Sequence, residues 1–277
     1  MNVCGNAADK KVEAILIAVK YMGAVGLGAT APQVFRANDD QVYIVKLQNN
    51  KMGRKVLVNE FLASRIGQLM GLCFPPSGII RLDEEVIQKN RWLRAAKVSA
   101  GMHFASQYLN HTWYVDRRNL NKATNKVEMA GVMLFDHMFH NVDRTWNRKN
   151  LLLRREAGSY RLYAIDHSHL FRKGKWTVEW LAKLNTDMTV NSTRSFGWLL
   201  KYFLKKEDFA PYIAKVQQMT DGQLNELVMD IPNEWLPDEA ERQALLDYLV
   251  KRRDLTEEIA EKICALIPNV HRRSHIH

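Results

Sequence analysis

Asn141-Val-Asp143-Arg-Thr-Trp-Asn147-Arg-Lys149-Asn150-Leu-Leu-Leu, followed by Tyr163-Ala-Ile-Asp166-His-Ser, is the stretch whose reading decides the fold. An Asp, then an Asn, then a short apolar run, then a second Asp ending another such run is the layout of a phosphoryl-transfer centre. In that chemistry the first Asp orients the attacking hydroxyl, while the Asn and the second Asp hold magnesium on the nucleotide phosphates. Asn and Asp are also ordinary turn residues, so any one of them alone reads equally well as structural. The rest of the chain has to supply the nucleotide side of the site.

Upstream residues do so in order. Gly26-Leu-Gly28-Ala-Thr30-Ala-Pro32 lies between two strand candidates, where glycines let backbone amides approach a phosphate and Thr30 adds a hydroxyl donor. The same cluster also reads as a hairpin turn, and it matches neither a Walker A loop nor a dinucleotide fingerprint. Lys46 ends the apolar run Val42-Tyr-Ile-Val-Lys46, and a lysine buried there requires an anion. Glu60 follows fourteen residues on, sharing a helical stripe with Ser64, Gly67 and Gly71. A small-residue stripe admits another backbone closely, which is where a Lys46–Glu60 pair is expected. An edge lysine and a solvated glutamate are the alternatives.

The hydrophobic pattern predicts an α+β protein with two parts: a strand-rich lobe with one helix over residues 1–109, and a mainly helical lobe over 110–277. Strands are expected over 12–20, 34–36, 42–47, 77–82 and 103–109, with Asn38-Asp39-Asp40 turning a hairpin. Residues 56–72 carry apolar residues at three- and four-residue spacing and predict a helix, stopped by Pro75-Pro76. Residues 83–102 give no clear pattern. A helix over 127–139 delivers the chain to the Asn141 loop, and strands over 151–154 and 161–165 follow. Beyond Trp176, helices are expected over 177–184, 209–219, 221–229, 239–251 and 255–266, with Thr220 and Thr256 as caps.

Bulk properties set outer limits. Hydrophobic residues make up 47% and charged residues 25%, which suits a globular chain with a sizeable core. Net charge is 40 − 30 = +10, so an anionic partner is electrostatically favoured, and nucleic acid is not excluded. Cys4, Cys73 and Cys264 form no C-x-x-C pair, which argues against a disulfide framework and for a reducing, cytoplasmic setting. The apolar run at 14–19 is too short to span a bilayer, so membrane insertion is not expected. His137, His140, His167 and His169 offer a rival reading as ligands of a transition metal with Asp143 or Asp166. No H-E-x-x-H motif supports it, and packing behind the loop is the simpler role. Trp113, Tyr114, Arg117, Arg118 and Trp146, Arg148, Lys149 mix aromatic and basic residues but carry no nucleic-acid motif.

With these residues assembled, the chain resembles the HipA-like serine/threonine kinases, a bacterial group distantly related to phosphoinositide-3-kinase-like enzymes. The resemblance spans about residues 20–170. It rests on the 26–32 loop with Tyr43-Ile-Val-Lys46, on Asn59-Glu60 through Leu72 with Pro75-Pro76, and on Phe135 through Thr145 with Asn150-Leu-Leu and Ile165-Asp166-His. It implies a short, kinase-domain-only variant that binds ATP and Mg2+ between two lobes. Gly26, Gly28 and Thr30 would line the phosphate loop, Lys46 would contact the α- and β-phosphates, and Glu60 would hold Lys46. Asp143 would be the catalytic base, and Asn150 and Asp166 the metal ligands. The backbone of Gln107, Tyr108 and Leu109 would bind adenine.

One departure stands out: Asn150 follows Asp143 by seven positions, where the usual kinase loop has five. Asn147, at four, competes for the metal. Three functions follow: a protein Ser/Thr kinase, a nucleotide-binding pseudokinase acting through partners, or a kinase for a lipid or small-molecule acceptor. Thr30 is an expected autophosphorylation position.

Overall fold

The computed structural model describes residues 15–26, 28–172 and 174–268. Strands β1 (Leu16–Ala24), β2 (Gln33–Ala37), β3 (Val42–Lys46), β4 (Ser77–Leu82) and β5 (Gly101–Gln107) form a closed barrel in the order β1-β2-β3-β5-β4. Every pairing is antiparallel except the closing one, where Leu16 and Ile17 of β1 lie parallel to Ile80 and Arg81 of β4. Alternation of side chains sends Phe35, Val45, Ile80, Leu82 and Ala105 into the barrel interior. Of the strand expected over 12–20, residues 12–14 lie outside the described residues, as does Cys4. The strand runs on to Ala24 and takes in Gly23, beside which the pairing register shifts. The hairpin at Asn38-Asp39-Asp40 forms as expected: Asp40 adopts φ +61°, and the Ala37 amide donates to the Gln41 carbonyl at 3.0 Å.

The span 83–102, which carries no clear sequence pattern, contains two five-residue helices, α2 (Glu84–Gln88) and α3 (Arg91–Ala95). Their Ile87 and Leu93 pack onto the barrel core. Helix α1 (Lys55–Met70) crosses from the barrel to the rest of the molecule and is buried along most of its length. Gly71 ends it in the left-handed conformation, and the Leu72 amide reaches back to the Gly67 carbonyl at 2.8 Å. The small-residue stripe on α1 receives a side chain rather than a backbone. A Cβ on Gly67 would sit 2.4 Å from the Phe74 ring.

The remaining chain forms a second sheet and a helical body. Strands β6 (Thr112–Tyr114), β7 (Leu151–Glu156) and β8 (Ser159–Ala164) pair in that order, all antiparallel. Helix α4 (Met129–Met138) has every residue buried and forms the centre of the larger core. The one-turn helix α5 (Asp143–Trp146) follows it. Around them lie α6 (Val178–Leu184), α7 (Arg194–Tyr202), α8 (Ala210–Gln217), α9 (Asp221–Met229), α10 (Glu239–Asp254) and α11 (Thr256–Cys264). Thr220 caps α9 in a reciprocal pair with Gln223, as its spacing predicts. Thr256 does not cap α11; its hydroxyl donates to the Arg252 carbonyl at 3.0 Å, because α10 and α11 are nearly continuous there. Among the described residues no helix is long and apolar enough to cross a membrane.

Candidate active site

Three charged residues separated by 120 positions meet at one nitrogen. Lys46, the last residue of β3, donates from Nζ to Glu60 Oε1 on α1 and to Asp166 Oδ1 just past β8, the latter at 2.8 Å. Lys46 and Glu60 are buried. Burial alone would push the lysine toward neutrality, but the carboxylates of Asp166 and Glu60 outweigh it and raise the Lys46 pKa. The same exchange acts in reverse on the carboxylates: burial favours their neutral forms, and Lys46 overrides it to hold both below their ordinary values. The Ser168 hydroxyl and amide also donate to Asp166 Oδ1, and the His167 amide donates to Glu60 Oε1 at 2.9 Å. Asp166 takes φ +61°, a left-handed conformation that turns its carboxylate back toward Lys46.

Asp143 opens α5, and Asn150 closes the loop by donating from Nδ2 to Asp143 Oδ2 at 2.7 Å. The two extra positions between them are taken up by the single turn of α5 and the 3-10 turn Arg148–Asn150. A buried framework fixes this arrangement from behind. Arg144 donates from Nε to Asp136 Oδ2 at 2.7 Å, and from a terminal nitrogen to the carbonyls of Asn150 (2.8 Å) and Ile165 (2.7 Å). Asn141 donates to the other oxygen of Asp136 at 2.8 Å. The Ile165 amide donates to the Asn150 carbonyl at 3.0 Å, so the segment carrying Asp166, just past β8, is tied to the loop carrying Asp143. Asn147 uses Oδ1 to accept the Lys149 amide at 3.1 Å.

A cleft of about 590 Å³ opens between the barrel and the segments carrying Asn150 and Asp166. From the barrel side Gly28, Thr30, Lys46 and Glu60 line it, and from the other side Asn150 and Asp166. Gln107, Tyr108 and Leu109 form its back, with Ile44 and Leu152 as apolar walls. Gly26 does not line the cleft: at φ +77° it serves the β1–β2 turn, which the Val25 amide closes onto the Pro32 carbonyl at 3.0 Å. Asp143 is also off the wall and meets the cleft through Asn150. The amides of Gln107 and Tyr108 are already engaged, with the carbonyls of Pro76 and Val42 at 2.8 Å each. Proline has no N–H to return the bond, so the Gln107 carbonyl is left as an acceptor. No bond to the Leu109 amide occurs among the described residues.

His137 and His140 are used elsewhere, while His167 lines the cleft with Nδ1 3.5 Å from Glu60 Oε2. His137 Nδ1 bonds the Met133 carbonyl at 2.8 Å and Nε2 accepts the Asn191 amide at 3.2 Å. His140 is held between the Tyr248 hydroxyl (2.7 Å) and the Asp187 carbonyl (3.1 Å). His169 Nδ1 stands 4.0 Å from Asp143 Oδ2, beyond hydrogen-bond range. Among the described residues no three His, Cys, Asp or Glu side chains gather closely enough to hold a metal ion. Sequence reading missed the Asp136–Arg144 pair, although a charged residue inside the apolar run 129–139 was its visible signal. It also missed Ser168, and Asn59, which ties α1 to the carbonyls of Ser168 (2.9 Å) and Gly174 (3.0 Å).

Several solved structures are similar to this chain at low sequence identity. The proinflammatory kinase CtkA of Helicobacter pylori superposes with a TM-score of 0.59 at 12% identity, over 93% of this chain and 100% of that one. Hydra Fam20, solved with sugar, gives 0.49 at 11% identity over 94% and 90% of the two chains. HipA of Shewanella oneidensis MR-1, solved with HipB and operator DNA, gives 0.42 at 10% identity over 81% and 60%. None of the curated proteins matches the sequence. The fold is thus α+β and kinase-like, and the family model for HipA-like kinases matches residues 19–265, so the chain belongs to the HipA-like kinase family.

Proposed function

We propose that this kinase transfers the γ-phosphoryl group of ATP, with Mg2+, to a Ser or Thr hydroxyl of a protein. The observation that carries the reading is the cleft in which Lys46 bridges Glu60 and Asp166 while Asn150 joins Asp143 on the facing side. In this reading 1–109 and 110–277 are two lobes around the nucleotide. Lys46 spends two of its three N–H donors on carboxylates, leaving one for phosphate oxygens. The loop around Gly28 and Thr30 covers the phosphates. The Gln107 carbonyl and Leu109 amide, two residues apart, offer an acceptor and a donor to the adenine edge between Ile44 and Leu152.

The donor set suits a hard cation: the Asp166 carboxylate, and the Asn150 carbonyl oxygen, whose amide nitrogen is committed to Asp143. Asn150 is therefore preferred over Asn147, whose oxygen is committed to a turn. Magnesium held there would supply charge neutralisation at the phosphates. Asp143, oriented by Asn150, accepts the proton of the acceptor hydroxyl. The seven-position spacing makes a nucleotide-binding module that transfers nothing the second reading; the Asn150–Asp143 bond at 2.7 Å supports transfer instead. In an assay with ATP, Mg2+ and a mixed protein acceptor, Asp143→Asn should lower phosphate incorporation by about 10²–10⁴-fold while ATP still raises the melting temperature. Equal incorporation by both proteins would sink the assignment.

A further inference from the structure

A second cavity, of about 480 Å³, opens beside the catalytic loop rather than into the nucleotide cleft. Its floor is apolar and buried, formed by Leu120, Met129, Leu151, Leu162 and Leu199. Two exposed arginines line it. Arg194 stacks on the Trp146 ring, 4.8 Å from its centroid, and donates to the Trp146 carbonyl at 2.7 Å, fixing the cavity to the one-turn helix that begins at Asp143. Arg117 stacks on Trp198 at 5.7 Å. Neither guanidinium pairs with a carboxylate among the described residues. Asp116, also on the lining, commits Oδ1 to the amides of Arg118 and Asn119 at 2.8 and 2.9 Å.

Two further polar features border this cavity. Ser195 lies on the lining of this cavity, and its Oγ is buried beneath the surface without a hydrogen-bond partner among the described residues. The N-terminus of α7 also has no side-chain cap, because the Thr193 hydroxyl donates to Asn191 Oδ1 at 2.8 Å instead. Its free amides add positive potential at the cavity. Apolar depth and a cationic mouth fit an apolar side chain with carboxylates on either side of it.

We propose that this cavity is the recognition subsite for the protein acceptor, and that it takes an apolar side chain from an acidic polypeptide segment. The inference rests on the kinase reading for its purpose, but not for its chemistry. Binding is measured by fluorescence anisotropy with a labelled pentapeptide, a leucine between two pairs of glutamates, without nucleotide. The intact chain should bind it at least tenfold more tightly than the same peptide with glycine for leucine or lysine for glutamate. Arg117→Glu combined with Arg194→Glu should weaken binding at least tenfold while the ATP-induced melting shift stays. Arg117→Gln alone should weaken it about threefold. Affinity indifferent to both variants, or capture of phosphatidylserine vesicles in place of the peptide, would overturn the subsite. Peptide binding that persists in a chain giving no ATP shift and no phosphate incorporation supports the subsite and overturns the kinase reading. Turnover without peptide binding does the reverse.

Discussion

Lys46 shows how tightly the charges of this site depend on one another. Replacing it with methionine leaves Glu60 and Asp166 as neighbouring carboxylates with no cation between them. Breaking a buried pair costs about 3–5 kcal/mol. The lower end, about 3 kcal/mol, is expected here, because Asp166 keeps 32% of its side chain open to the cleft. Direction with pH follows from the variant's chemistry: protonating one of two facing carboxylates relieves the repulsion. The destabilisation of Lys46→Met, read from denaturant midpoints, should therefore be greatest near neutrality and shrink toward pH 4. A penalty that grows on acidification would contradict the arrangement. These side chains were visible in the sequence because each is a titratable residue set against an apolar run. Asp136 carries the same signal inside the apolar run 129–139, but nothing in the sequence pairs it with Arg144, eight residues on, until the fold buries both.

Elements differ in how plainly they were written. Helices α1, α4, α9 and α10 follow their apolar spacing to within a few residues. Helix α7 went unseen because Ser-Thr-Arg194-Ser-Phe-Gly197-Trp reads as a loop, with Arg194 at φ +49° and a glycine inside the first turns. Strand β6 is three residues long, below what alternation can reveal, and it forms only because β7 lies beside it. Gly197 explains why its helix needs that residue: a Cβ there would fall 2.1 Å from the Ser192 carbonyl oxygen, a backbone atom that cannot rotate away. Gly197→Ala should displace the 190–194 loop and abolish binding of the acidic peptide, with the ATP melting shift unchanged. Gly67→Ala is predicted to lower stability although alanine favours helix by about 1 kcal/mol. Its methyl would press on the Phe74 ring, and such overpacking costs about 1–3 kcal/mol. A rise in melting temperature for Gly67→Ala would refute that packing.

At the scale of the whole molecule, buried neutral histidines add to the response to acid. Burial lowers the pKa of His103 to about 4 and that of His140 to about 3, from an ordinary 6.5. Both stay neutral in the fold while the unfolded chain takes up protons below 6.5, so stability is full above that pH and falls as pH drops toward 4 and then 3. At pH 5 each costs about 2 kcal/mol. Urea titrations at pH 7.5 and pH 5 should show the loss. His140→Asn, which tolerates the φ of +52° at that position, should flatten it; an unchanged slope would count against His140. The barrel carries a different consequence, one of folding order. Its closing contact joins residues 64 positions apart and is parallel, whereas the β2–β3 hairpin closes through a short local turn. Long-range parallel pairing forms late. A chain with that contact still open exposes the edges of both β1 and β4, ready to pair with another copy. Substitutions that loosen β1 should therefore surface first as insoluble protein during synthesis, long before any change at the phosphoryl-transfer site.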